Sequence, residues 1–264
     1  MDVLKRNNVT IQGKGKDVMI FAHGYGCDQN MWRFITPAFE NDFKLILFDL
    51  VGSGNSDWSS YKKQKYQNLQ GYADDIIEIC ETLNLEKVIL VAHSVSAMIG
   101  MLAAIKSPSI FKELIMIGPS PRYINDENYY GGFSEKDILE MVETLDSNYL
   151  GWSSAITPVI MDNPDKPELT EELKNSFCRH DPEIAKHFAK VTFMGDNRKD
   201  LNSLQTPTLI IQCKNDLIAS IKVGEYVHQH ISRSKFFVIE ANGHCPHMSH
   251  PEEIINTIKS YLSK

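Results

Sequence analysis

Six short apolar runs recur along the chain with helical patterns between them, and this rhythm constrains the fold more than any other feature. The runs cover residues 18–22 (VMIFA), 45–48 (LILF), 88–92 (VILVA), 114–117 (LIMI), 208–211 (TLII) and 236–239 (FFVI). Each is continuous rather than alternating, the signature of a strand covered on both faces, as in a parallel sheet. Ile76, Ile77, Ile79, Cys80 and Leu83 share one helical stripe. Met98, Ile99, Leu102 and Ile105 form a second, and Ile254, Ile255, Ile258 and Leu262 a third. Strand–helix alternation of this kind predicts a mostly parallel, doubly wound α/β sheet.

The rhythm breaks once. Residues 119–196 contain no convincing strand. They carry four helical patterns: Ile138/Leu139/Val142/Leu145, Trp152/Ile156/Val159, Leu169/Leu173/Phe177 and Ile184/Phe188/Val191, punctuated by Pro158, Pro164, Pro167 and Pro182. The expected organisation is therefore a core of residues 1–118 and 197–264 with a four-helix lid at 119–196. An insert at the carboxyl edge of a parallel sheet covers the place where ligands bind; the alternative is a helical subdomain that only packs.

The remaining bulk features exclude several classes. With 27 basic and 34 acidic residues the net charge is −7, and no basic run is present. Such a chain is a poor partner for nucleic acid or an anionic membrane. No stretch reaches the ~18 apolar residues of a membrane span, and the start of the chain lacks a signal-peptide core. Five cysteines, an odd number at positions 27, 80, 178, 213 and 245, suit a reducing compartment. The expectation is a cytoplasmic protein, monomeric or weakly dimeric.

Ser94 follows the run at 88–92 and opens the helix carrying Met98 and Leu102, in the order Ala92-His93-Ser94-Val95-Ser96. This is the strand–turn–helix setting of a nucleophile elbow, with small residues two before and two after the serine, although neither is glycine. The alternative is a serine that merely caps the helix. A serine nucleophile needs a base and an orienting acid, placed after it in the order acid, then histidine. Asp216 lies just past the run at 208–211, and His244 past the run at 236–239. Asp126 competes for the acid, and His247 and His250 compete for the base. Asp49, in DLVGSGNS, reads as a turn residue holding backbone amides. The loop His23-Gly24-Tyr25-Gly26 and the start of the helix at Val95 offer backbone N–H groups for an oxyanion, from Tyr25 and Val95. His23 and His93 read as structural hydrogen-bonding residues. Gly24 and Gly26 lack the third glycine of a dinucleotide fingerprint, so no cofactor is expected. His244, Cys245, His247 and His250 have ligand chemistry, yet Pro246 and Pro251 interrupt any regular helix and no carboxylate cluster accompanies them, so no metal is expected. Dehalogenases and epoxide hydrolases of this architecture carry an aspartate nucleophile, and Ser94 counts against both. A carbon–carbon bond hydrolase and a metabolic carboxylesterase remain alternatives.

The blocks HGYG, FDLVGSGNSD, HSVSAMIGMLAAI, GPSPRYIND, YYGGF and GHCPHMSHP resemble α/β-hydrolases of the RsbQ type, over nearly the whole chain. These are bacterial regulators of the general stress response, related to the plant strigolactone and karrikin receptors. The resemblance implies an α/β-hydrolase fold with Ser94, Asp216 and His244 as the triad and the amides of Tyr25 and Val95 as the oxyanion hole. It implies a lidded apolar pocket lined by Tyr25, Tyr123, Trp152 and Phe193. It further implies slow hydrolysis of a small hydrophobic ester- or lactone-like compound, and signalling through a PAS-domain phosphatase to a stress sigma factor. Two departures stand out. Ala92 replaces the usual glycine, which the turn should tolerate. Tyr25 replaces the usual phenylalanine, and its hydroxyl is expected to make the pocket entrance more polar.

Overall fold

A computed structural model describes residues 2–263. A short helix α1 (Val3–Arg6) precedes β1 (Thr10–Gln12), β2 (Asp17–Ala22) and β3 (Phe43–Phe48). Helix α2 (Gln70–Thr82), β4 (Val88–His93), α3 (Val95–Lys106) and β5 (Phe111–Ile117) follow. Four helices then come without an intervening strand: α4 (Glu135–Ser147), α5 (Tyr149–Met161), α6 (Pro167–Cys178) and α7 (Pro182–Phe193). The chain closes with β6 (Thr208–Asn215), α8 (Ile221–His230), β7 (Ser234–Asn242), α9 (Pro246–Ser249) and α10 (Pro251–Leu262).

The strands form one sheet in the order β1-β3-β2-β4-β5-β6-β7. Only β1 is antiparallel, with Thr10 opposite Leu47; the others pair in parallel. The β4 strand is buried along its whole length, as its continuous apolar run requires. All six runs are strands. The seventh, β1, was not legible: it is three residues long with two exposed, too short to carry a pattern. The final run also departs from expectation. Phe237 and Val238 are about 40% exposed (39% and 42%) because β7 is an edge strand and is not covered on both faces.

The four helical patterns of residues 119–196 are all helices, but the prolines play a different part than expected. Pro167 and Pro182 start α6 and α7, where the missing N–H costs nothing. Pro158 lies inside α5 rather than ending it. Likewise Pro246 and Pro251 open α9 and α10. Asp49 has the structural part its sequence suggests: its buried carboxylate accepts from the amides of Gln29 and Asn55 and from the Asn8 side chain, at 2.8, 2.9 and 2.8 Å. Among the described residues no helix is long and apolar enough to cross a membrane.

Candidate active site

Ser94 occupies the one-residue turn between β4 and α3 with φ 57° and ψ −126°. A side chain with a Cβ adopts these angles only under constraint. Its hydroxyl makes no capping bond to α3, so the helix-cap alternative does not hold. Instead Ser94 Oγ lies 2.8 Å from His244 Nε2, and His244 Nδ1 lies 2.7 Å from Asp216 Oδ2. All three residues are buried. A carboxylate only accepts, so Nδ1 carries the proton and Nε2 is left to accept from the serine. The other carboxylate oxygen of Asp216 accepts from the amides of Ile218 and Ala219 at 2.8 and 3.0 Å, which fixes the carboxylate plane. Three strands thus deliver three side chains to one carboxyl edge.

The competitors are placed elsewhere. Asp126 is exposed and paired with Arg198 at 2.9 Å. His250 hydrogen-bonds Ser249 at 2.9 Å. His247 is fully buried, its ring centroid 4.6 Å from that of Trp32 and 4.4 Å from that of His93, and neither ring nitrogen has a partner. Burial, and secondarily His244, holds its imidazole down to about 3. His93 is neutral for the same first reason. Its Nε2–H donates to the His244 carbonyl at 2.7 Å, which ties the loop carrying His244 to the end of β4. His23 accepts from the Leu50 amide at 3.0 Å and donates to the Gly24 carbonyl at 2.8 Å. Both are structural, as read from the sequence. Among the described residues no group of three or more His, Cys, Asp or Glu side chains is placed to hold a metal ion together.

The loop after β2 runs beside the serine. A Cβ on Gly24 would sit 2.6 Å from His93 Nδ1 and 3.3 Å from Ser94 Cβ, so only glycine lets the chain pass. The Tyr25 N–H has no acceptor in the chain among the described residues. Val95 is the first residue of α3, where an N–H has no carbonyl one turn back. Two donors therefore remain free on the side of the serine.

An apolar cavity of about 60 Å³ opens onto Ser94 and His244. Tyr25, Tyr123, Trp152 and Phe193 all line it, so the four residues taken from the resemblance come together. Burial pushes the Tyr123 phenol up to about 12, against a smaller opposing effect of the Ser94 hydroxyl. Sequence reading missed Cys27, Cys245, Thr192 and Phe177 on the same walls; adjacency to Gly26 and His244 was the available signal for the two cysteines. One expectation fails. The Tyr25 hydroxyl does not face the entrance but donates to the Ala185 carbonyl of α7 at 3.0 Å.

A family model described as the alpha/beta hydrolase fold matches residues 17–251. The Karrikin insensitive 2 receptor CA of Petunia hybrida is 34% identical over 261 residues, 98% of this chain and 97% of that protein. A strigolactone esterase of Arabidopsis thaliana is 32% identical, covering 100% and 98%. Among solved structures, a hydrolase from Oleispira antarctica superposes with a TM-score of 0.97 at 42% identity, covering 100% of this chain and 97% of that one.

The buried imidazole of His247 predicts an acid limit to stability. Its folded-state value lies below the unfolded one of about 6.5, so the unfolded chain binds the extra proton. Stability is complete above about pH 6.5 and falls as the pH drops toward 3. His247→Phe keeps the ring stack and removes the titration. Thermal unfolding from pH 7 to pH 5 should show a smaller loss of Tm in the variant; an equal loss would assign the acid sensitivity to other groups.

Proposed function

The chain belongs to the α/β-hydrolase fold family and is a hydrolase of that fold, and we propose that it cleaves small hydrophobic esters or lactones through Ser94, His244 and Asp216. The observation that carries this reading is the continuous hydrogen-bonded line from Ser94 Oγ through the imidazole to a carboxylate held by two amides.

The chemistry follows from the geometry. His244 Nε2 takes the hydroxyl proton as Ser94 Oγ attacks the carbonyl carbon. Asp216 holds the tautomer and stabilises the imidazolium. Charge then develops on the former carbonyl oxygen, where the amides of Tyr25 and Val95 and the N-terminus of α3 favour it. The imidazolium returns its proton to the departing alkoxide, leaving an acyl-serine. Water, deprotonated by the same Nε2, releases the acid. With a lactone the alcohol stays attached to the acyl group, and one hydroxy acid leaves.

Cavity size narrows the substrate. Ligand pockets commonly measure ~300–1,000 Å³, against about 60 Å³ here. A compact acyl group fits as the helices stand; a longer one requires α4–α7 to part from the sheet, which is the lid role we assign to residues 119–196. A carbon–carbon bond hydrolase would need polar anchors for a diketone substrate, and the lining is dominated by apolar side chains.

We also propose a signalling role of the RsbQ type, in the cytoplasm, with a PAS-domain phosphatase as partner. Its support is the sequence resemblance, together with relatives named as receptors at matching length. Slow turnover is compatible with such a role, since one event per switch suffices.

Ser94→Ala should lower hydrolysis of a short activated ester by about 10³-fold or more and abolish labelling by a fluorophosphonate; retained activity removes Ser94 from the mechanism. In the same assay Asp216→Asn should cost far more than Asp126→Asn, and the reverse ranking would reassign the acid. Trp152→Ala, which enlarges the cavity, should move the preference toward longer acyl chains while labelling of Ser94 persists. For signalling, charge reversal on the outer faces of α4 and α5 should weaken activation of a purified PAS-domain phosphatase and spare esterase activity. Joint loss of both would leave residues 119–196 as a structural cover.

A further inference from the structure

A second cleft lies outside the catalytic cavity and shares no lining residue with it. Asp28, Gly54, Asn55 and Trp58 of the core form one wall. Ser176, Arg179 and His180, at and just past the end of α6, form the other. Its volume is about 280 Å³, near the lower end of the ~300–1,000 Å³ of small-molecule pockets.

Two polar atoms of this lining are left unsatisfied by the chain. The His180 side chain is buried, and its Nδ1–H donates to the Ser176 carbonyl at 2.8 Å. That makes Nε2 an acceptor, and among the described residues it has no partner. Burial pushes the His180 pKa down, so the ring stays neutral and the lone pair stays available. The Trp58 indole N–H, which can only donate, is likewise buried without a partner among the described residues. Unpaired buried polar atoms are costly, and here a donor and an acceptor belong to one cleft.

The rest of the wall selects the kind of ligand. One oxygen of Asp28 accepts from the Asn30 amide at 2.9 Å. The other meets Arg179 only at 3.4 Å, and the Arg179 side chain is 68% exposed, so this pair is screened and easily opened. The exposed Asn55 side chain brings both a donor and an acceptor. A bare anion would suit Arg179 and Trp58 but would be opposed by Asp28 and by the lone pair of His180. A bare cation would be opposed by Arg179. Hydroxyl groups both donate and accept, so several of them on one small frame satisfy such a mixed wall, and the Trp58 ring adds apolar surface for the carbon skeleton.

We propose that this cleft is a second ligand site, and that it takes a neutral polyhydroxylated molecule the size of a single sugar ring, whose hydroxyls accept from the Trp58 indole and donate to His180 Nε2. The walls come from both the core and the insert, so an occupant ties the end of α6 to the loop after β3. The same end of α6 carries Phe177, which lines the catalytic cavity, and Ser176, whose Oγ donates to the Gly26 carbonyl at 2.8 Å. Occupancy therefore favours the arrangement in which the insert lies against the sheet.

The chain has three tryptophans, Trp32, Trp58 and Trp152, so their indole N–H resonances report where a ligand binds. The probes are D-glucose, D-galactose, D-xylose and myo-inositol at millimolar concentrations, with inorganic phosphate and cyclohexanol as contrasts. Trp58→Phe identifies the Trp58 resonance by its loss. The expected result is a saturable shift of that resonance with at least one of the four polyols, none with phosphate or cyclohexanol, and a rise in Tm on binding. His180→Phe keeps a ring and removes the acceptor, and should weaken the binding about tenfold, the cost of stranding one hydroxyl. Asn55→Ala, at an exposed position that folding does not depend on, should weaken it about fivefold. No saturable shift with any of the four polyols would overturn the proposal and leave the two atoms to solvent. So would a shift of Trp152 in place of Trp58, which would put the sugar in the catalytic cavity. Phosphate binding as tightly as the polyols, or unchanged affinity in Asn55→Ala and His180→Phe, would overturn it as well. The readout needs no turnover and stands apart from the hydrolase reading.

Discussion

The backbone of Ser94 is the constraint on which the rest of the site depends. A non-glycine residue at φ 57° and ψ −126° costs of order 1–3 kcal/mol and persists only where its surroundings over-determine it. Here they do. The Ser94 amide donates to the Ile117 carbonyl at the end of β5. Two residues on, Ser96 Oγ donates to the His23 carbonyl at the end of β2 at 2.5 Å. Ala92, the departure from glycine before the turn, is wholly buried in register with Ala22 on one side and Met116 on the other. The strands flanking β4 thus fix the turn from both sides, and the serine hydroxyl is presented at the carboxyl edge with α3 starting behind it.

That edge is closed from above by the insert, and the closure is unevenly distributed. The base loop touches α5 through the His244 amide, which donates to the Ile160 carbonyl at 2.7 Å. Arg33 makes a two-point ion pair with Glu172 of α6 at 2.7 and 2.6 Å. Both partners are about one-third exposed, so the pair is screened and contributes modestly. The buried contacts around Tyr25 and Gly26 are a different matter. Aromatic pairs add ~0.5–1.5 kcal/mol each beyond area burial, and four converge on the Tyr25 ring, from Trp152, Phe177, Phe188 and Phe193. Parting the insert from the sheet therefore costs most at the loop after β2 and least at the charged rim.

Much of this was legible in the chain because burial writes itself into composition. Strands covered on both faces must be continuously apolar, and five were visible for that reason; the sixth, β7, is apolar although it lies at the sheet edge. The three residues of β1 carry no such mark, and the edge position of β7 follows from sheet order, which no local pattern encodes. Ser94, Asp216 and His244 were legible as positions after strands, but the choice between Asp216 and Asp126 was not. Both follow a strand, and what separates them is a long-range pairing, Asp126 with Arg198 72 residues away. The direction of the Tyr25 hydroxyl was illegible for the same reason, since its partner is 160 residues distant. The pocket residues came from likeness to a family, and no spacing rule would have joined Tyr25, Tyr123, Trp152 and Phe193.

The block GHCPHMSHP shows how two prolines separate residues that a spacing rule groups. A single helix through the block would bring His247 and His250 to one face. Instead Pro246 begins α9 and Pro251 begins α10, and the chain turns at His250 with φ −134° and ψ 55°. Three imidazoles a few residues apart consequently reach three surroundings: His244 lies on the serine, His247 beneath it in contact with Trp32 and His93, and His250 against Ser249. The middle one has a consequence for the first. His247 supports the ring of His93, and His93 holds the His244 carbonyl. The position of His244 is thus set by Asp216 through its ring and by His93 and Ile160 through its backbone. A neutral imidazole suits the second task, because a charged one beside His244 would oppose the imidazolium that forms in the proposed mechanism.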